Sequence, residues 1–315
     1  MRSHNLKFQM KKTFFGLAVL AVAGAPVALA CDCCSVFSSC NLQSAGEKGF
    51  IAGLAEQYTH FGTLQMDGQK VPGNGEYIDS LVSQVFAGYN FNERISAQIN
   101  VPLIYRAYGS HTMSDSVAGL GDVSLIGNVR IFQYATTDWS FDWSMLGGIK
   151  LPTGDSSKLN LPDSALPDGI GGHDIALGSG SVDGIVGTSF SVRWKRVFLT
   201  GNMQYAIRSE GDFQHQYAND WTWSGGPGAY LWLGKKGTLA AQVITSGETK
   251  GKDTFTGVPD DDSAETIVYL GPQLNFTWGG SLSAQIGADL PVSIANTGLQ
   301  VVPDFRIHAA ATCKF

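Results

Sequence analysis

The chain has 315 residues, with 21 Lys+Arg against 27 Asp+Glu, only 15% charged residues, 11% aromatics and 39 glycines. A formal net charge of −6 makes nucleic acid an unsuitable partner. A mean hydropathy of +0.01 is too polar for a helical membrane protein, yet it suits strands of which one face is apolar and the other wet.

Lys11 and Lys12 precede an apolar run from Phe14 to Ala25 and the small-residue site Ala28-Leu29-Ala30, the organisation of a secretory signal peptide over residues 1–30. Its removal takes away Arg2, Lys7, Lys11 and Lys12, so the mature chain is more acidic still. No later stretch is long and apolar enough for a transmembrane helix, which leaves membrane spanning to strands. Residues 31–48 form a Cys-rich segment, C-D-C-C-x5-C, with Cys31, Cys33, Cys34 and Cys40. Three readings stay open for it. Cys31 is lipidated, or the four cysteines form two disulfides in an oxidising compartment, or their thiolates hold a soft metal such as Zn or Cu(I). Adjacent Cys33 and Cys34 are poor partners for each other. No cofactor is assigned beyond that metal reading, and the segment is a candidate plug for the lumen or a docking site for a periplasmic protein.

From residue 49 onward, alternating segments separated by turn residues predict twelve strands, at 50–61, 77–91, 95–107, 121–134, 139–152, 184–195, 197–208, 221–234, 237–246, 265–278, 281–291 and 302–315. Their connections alternate. Short turns at 92–94, 135–138, 195–196, 235–236 and 279–280 interleave with long loops near 62–76, 108–120, 153–183, 209–220, 247–264 and 292–301. That pattern predicts an all-β, up-and-down antiparallel transmembrane barrel over 49–315, with short periplasmic turns and long extracellular loops. A soluble sandwich has no reason to keep its long loops at one end.

Facing follows from the period of two. In the fourth strand Val123, Leu125, Val129 and Ile131 alternate with Asp122, Ser124, Asn128 and Arg130; in the last, Phe305, Ile307, Ala309, Ala311, Cys313 and Phe315 oppose Asp304, Arg306, His308, Thr312 and Lys314. The apolar set is expected against outer-membrane lipid and the polar set around the lumen. The first strand and 221–234 read ambiguously. Aromatics near strand ends, among them Tyr89, Phe132, Trp139, Trp194, Phe198, Tyr230, Trp232 and Trp278, are expected to form an interfacial girdle.

A device recurs where strands end: Asn100-Val101-Pro102-Leu103, Leu151-Pro152-Thr153-Gly154 and Asp289-Leu290-Pro291-Val292, answered by Gly119-Leu120-Gly121-Asp122 and by Asp183 and Asp220 where strands return. With the twelve strands, these motifs resemble the outer-membrane channel family associated with the meta pathway of phenol degradation. The resemblance spans about residues 50–315 and implies a channel or transporter for small, hydrophobic or aromatic molecules, without catalytic residues. The Cys-rich start departs from the family pattern.

The expected lumen-lining charges are Asp122, Arg130, Asp142, Lys150, Arg193, Arg208, Asp289, Asp304, Arg306 and His308. Their mixed signs predict cross-lumen pairing and a restricted pore. His60, His111, His173 and His215 fall at the loop end and read as solvated rather than as a shared metal site; Asp253 and Asp260 to Asp262 read as an exposed acidic run. No enzymatic activity is expected, since no predicted strand carries His on its apolar face. The alternative function is a structural or redox module centred on the cysteines.

Overall fold

The computed structural model describes residues 48–315. The signal peptide and Cys31, Cys33, Cys34 and Cys40, with their disulfide, metal, plug and docking readings, lie outside the described residues. Twelve long strands make the wall: β1 (Gly49–Met66), β2 (Tyr77–Asn90), β3 (Ile95–Gly109), β4 (Val123–Ala135), β5 (Trp139–Leu151), β6 (Asp183–Trp194), β7 (Val197–Ile207), β8 (Asp220–Leu233), β9 (Gly237–Lys250), β10 (Glu265–Trp278), β11 (Leu282–Asn296) and β12 (Leu299–Lys314). Each pairs antiparallel with its chain neighbours, and β12 pairs with β1 from Ile51↔Lys314 to Met66↔Leu299. The sheet is therefore closed and leaves no edge with unpaired backbone, the condition for strands in hydrocarbon.

The predicted facing holds along the strands. Leu125, Val129, Ile131, Ile286, Leu290 and Ile307 are exposed on the outer surface, while Ser124, Asn128, Arg130, Gln285, Asp289, Arg306 and His308 are buried within. Two members of the expected girdle depart from it. Phe198 and Tyr230 turn inward and pack with Ala240 near the short-turn end, their rings 5.2 Å apart. For Tyr230 the cause is a register shift in β8 between Tyr230 and Trp232, which reverses the facing of what precedes it.

Two predicted loops are instead part of the wall. Ser114–Leu120 pairs with the upper part of β3, from Leu103↔Leu120 to Gly109↔Ser114, while β4 pairs with the lower part, from Ile95↔Val129 to Asn100↔Ser124. One wall position is thus shared by two segments that meet at Gly121-Asp122. Across the predicted loop 292–301, β11 continues against β10 to Asn296 and β12 begins against β1 at Leu299, with a turn at Thr297-Gly298 in which Gly298 has φ +61, a conformation glycine adopts without steric cost. The β11–β12 ladder runs only from Leu282↔Cys313 to Asp289↔Arg306. Beyond it stand Pro291 and Pro303, neither of which has an N–H to donate.

Candidate functional site: the roofed mouth of the barrel

The two recurring motifs meet in space. The Thr153 hydroxyl donates to the Gly121 carbonyl and accepts from the Val123 N–H, each at 2.8 Å. The Gly154 N–H donates to Asp122 Oδ1 at 3.0 Å, and the Ser179 N–H and hydroxyl donate to Asp122 Oδ2 at 3.0 and 2.8 Å. One carboxylate therefore ties together both ends of the 152–182 loop. Gly154 and Gly178 approach so closely that a Cβ on either would strike the other's backbone, which explains glycine at the end of L-P-T-G.

Around this knot lies a chain of buried charges. Lys150 Nζ is 2.7 Å from both Asp122 Oδ2 and Asp183 Oδ2; Arg208 reaches Asp183 at 3.1 Å and also bonds Asp220. Buried ions persist only when paired and hydrogen-bonded. Asp183 meets that demand further by accepting from the Ser181 hydroxyl at 2.8 Å and the Ser209 N–H at 3.0 Å. A second group joins Arg306 to Asp289 at 2.8 Å, with His308 Nδ1 3.4 Å from the same carboxylate. Arg130 pairs with Asp142 at 2.7 Å. Between these groups the inner wall carries neutral amides, with Gln242 donating to Thr200 at 2.7 Å and Gln273 to Asn275 at 2.7 Å.

Two further expected lumen charges lie apart from these groups, one at the rim and one beside an outward histidine. Arg193 lies at the short-turn rim, donating to the Lys195 carbonyl at 3.2 Å. Asp304, near a register shift in β1, accepts from Thr63 at 2.7 Å and stands 3.9 Å from His60 Nε2. His60 itself is on the outer side of β1, with Nδ1 2.7 Å from Asp79, which also accepts from Tyr58 at 2.7 Å. The expectation that no strand carries His on its outward face is thereby corrected. Glu56, Tyr58 and His60 break the apolar outward set of β1, which is why its facing could not be read.

Above the charges, the 152–182 loop folds inward as a roof. It contains the short helix Gly172–Ile175 and two 3-10 turns. Leu166, Ile170 and Ile175 pack with the inward side chains Leu64, Ile78, Tyr108 and Val301, and Leu177 packs with Val82 and Ile104. The inner faces of β2 and β3 thus change from amides (Gln84, Gln98, Asn100) to hydrocarbon toward the mouth. The Arg106 guanidinium, 1% exposed, donates to the carbonyls of Asp174 and Ala176, both at 2.7 Å. Val301 N–H bonds the Gly169 carbonyl at 3.0 Å, fixing the roof to the opposite wall.

Two histidines read as solvated are buried in this roof. His173 and His215 lie with ring centroids 6.3 Å apart, and Asp253 is fully buried beside them. Burial disfavours a charged His173, but Asp174, 3.2 Å away, outweighs it and raises the imidazole pKa to about 9. No sequence motif links the three residues, because each comes from a different loop.

No protein-family model matches the chain, and no curated protein matches it in sequence. The fold is similar to that of the COG4313 outer membrane channel from Pseudomonas putida F1, with TM-score 0.62, 13% identity, and coverage of 86% of this chain and 96% of that one. Weaker likenesses are to the β domain of the Bordetella autotransporter BrkA (TM-score 0.45, 10% identity, 86% and 100% covered) and the translocator domain of the autotransporter NalP from Neisseria meningitidis (0.42, 11%, 86% and 90%). By the first of these likenesses, the chain shares the fold of an outer-membrane β-barrel of twelve long strands.

Proposed function

We propose that the protein is an outer-membrane channel for small uncharged molecules with apolar or aromatic surface, held closed at its outer mouth by the 152–182 loop. The observation that carries this is the apolar contact between Leu166, Ile170, Ile175 and Leu177 of the roof and inward side chains of β1, β2, β3 and β12. A solute that takes the place of the roof meets hydrocarbon first. Below that, paired charges and neutral amides present little net field, which disfavours selection of ions. The resemblance of the L-P-T-G and G-L-G-D motifs to the phenol-pathway channels points to the same substrate class. Lumen-lining roles belong in this reading to Asp122, Arg130, Asp142, Lys150, Arg208, Asp289, Arg306 and His308, with outer-membrane lipid around the wall.

Liposome swelling with graded solutes tests the reading. Deletion of residues 157–176 is expected to raise single-channel conductance and swelling rates for small aromatic alcohols above those for sugars of equal size. Unchanged conductance after the deletion would mean that the roof does not limit passage.

A further inference from the structure

The buried cluster in the roof has a composition that the channel reading does not use. We propose that His173, His215 and Asp253 form a site for one divalent transition-metal ion, Zn2+ above all, whose binding staples three loops across the mouth. His173 comes from the 152–182 loop, His215 from 208–219 and Asp253 from 251–264. One donor atom from each lies within 4.8 Å of the other two, and the three residues are 8%, 5% and 0% exposed. His215 Nε2 is 3.9 Å from Asp253 Oδ2, and the two imidazole planes are inclined by only 15°. Zinc holds nitrogen and oxygen donors at about 2.0–2.2 Å, so closing the site needs donor movements of roughly an ångström.

The surroundings hold these ligands in place. Asp174 Oδ1 lies 3.2 Å from His173 Nε2, the carboxylate–histidine arrangement that orients a ligating ring. The Tyr217 hydroxyl donates to the His173 carbonyl at 3.0 Å, and the Ala218 N–H donates to Asp253 Oδ1 at 2.8 Å, leaving Oδ2 directed at the cluster. Pairing of His215↔Phe255 and Gln216↔Thr254 fastens the second loop to the third. Two imidazoles and one carboxylate suit Zn2+, Cu2+ or Ni2+ and are poor ligands for Ca2+ or Mg2+. Three protein ligands leave a fourth position for water.

Lys250 Nζ sits 3.1 Å from Asp253 Oδ2 and 5.5 Å from the Tyr217 ring centroid. The metal replaces the ammonium as counter-charge to the carboxylate. His173 and His215 bind as neutral imidazoles, any proton they carry passing to solvent.

The gating consequence rests on the roof reading above, and the two are separable by experiment. The chelator-treated full-length chain, carrying Cys31→Ser, Cys33→Ser, Cys34→Ser and Cys40→Ser so that thiolates do not compete, is titrated calorimetrically with ZnCl2 and with CaCl2. Expected is saturable binding of one Zn2+ without a Ca2+ counterpart, weakened roughly tenfold or more in His215→Ala and Asp253→Asn, and retained in His111→Ala, an exposed loop histidine. Heat-modifiable gel migration checks that each variant is folded, and His215→Gln serves if alanine unfolds the roof. Absence of saturable Zn2+ binding, or equal binding in the folded His215 and Asp253 variants, overturns the proposal. If Zn2+ fails to bind while deletion of 157–176 raises conductance, the metal site alone falls. If Zn2+ binds and the deletion changes nothing, the roof reading alone falls.

Discussion

At the scale of single residues, the buried lysines and arginines Arg130, Lys150, Arg208, Lys250 and Arg306 each face a carboxylate. Lys150 is 1% exposed and lies between Asp122 and Asp183. Lys150→Met leaves two buried carboxylates facing each other, and is expected to destabilise the barrel by about 3–5 kcal/mol, measured by urea unfolding in detergent micelles. Arg106 plays a different part: it donates to two carbonyls of the roof and, at 3.4 Å, to the Ser80 hydroxyl of the wall. Arg106→Leu is expected to cost roughly 1.5–3 kcal/mol for each charge-assisted bond lost; protease cleavage within 152–182 should then quicken while the wall remains folded. Ile307, 45% exposed on the outer face, gives the complementary test of lipid contact. Ile307→Arg should cost about 2–4 kcal/mol if it lies near the bilayer midplane, and a neutral result in folding into lipid vesicles would contradict the lipid-facing assignment.

At the scale of elements, alternation located the twelve long wall strands, and it did so because each lies between two solvents that demand opposite side chains. It was less informative where that contrast ends. Toward the mouth, Leu64, Ile78, Val82, Ile104 and Tyr108 are apolar and inward, and they contact the roof rather than water. Those residues were the available signal for a folded-in loop, since inward hydrocarbon in a wet lumen lacks a partner. The same loss of contrast hid Ser114–Leu120 and the upper halves of β11 and β12, which continue the wall beyond the expected membrane span. The L-P-T-G and G-L-G-D motifs were legible as repeats, but their bonding through Thr153, Gly154 and Asp122 required the fold.

At the scale of the whole molecule, both chain ends of the barrel lie at the short-turn rim, where Phe315 N–H bonds the Phe50 carbonyl at 2.8 Å. The long connections gather at the other end, and the topology can be checked with epitope tags. An insertion at the Thr256-Gly257 turn should be detected on intact cells, whereas one at Gly279-Gly280 should need permeabilised cells. Both turns have positive-φ glycines with open space around them, so each is expected to accept an insertion. Detection of the second tag without permeabilisation would invert the orientation.

The sequence by itself determined the strand number, the closure of the barrel and which face of most strands meets lipid, because period-two alternation is a local response to two unlike environments. Only the tertiary structure decided how the mouth is closed, that Asp122 fastens both ends of one loop, that His60 and Asp304 meet on β1 and β12, and that His173, His215 and Asp253 converge. Those contacts join residues that share no local period: their positions are set by how loops fold across a ring already closed by β1 and β12.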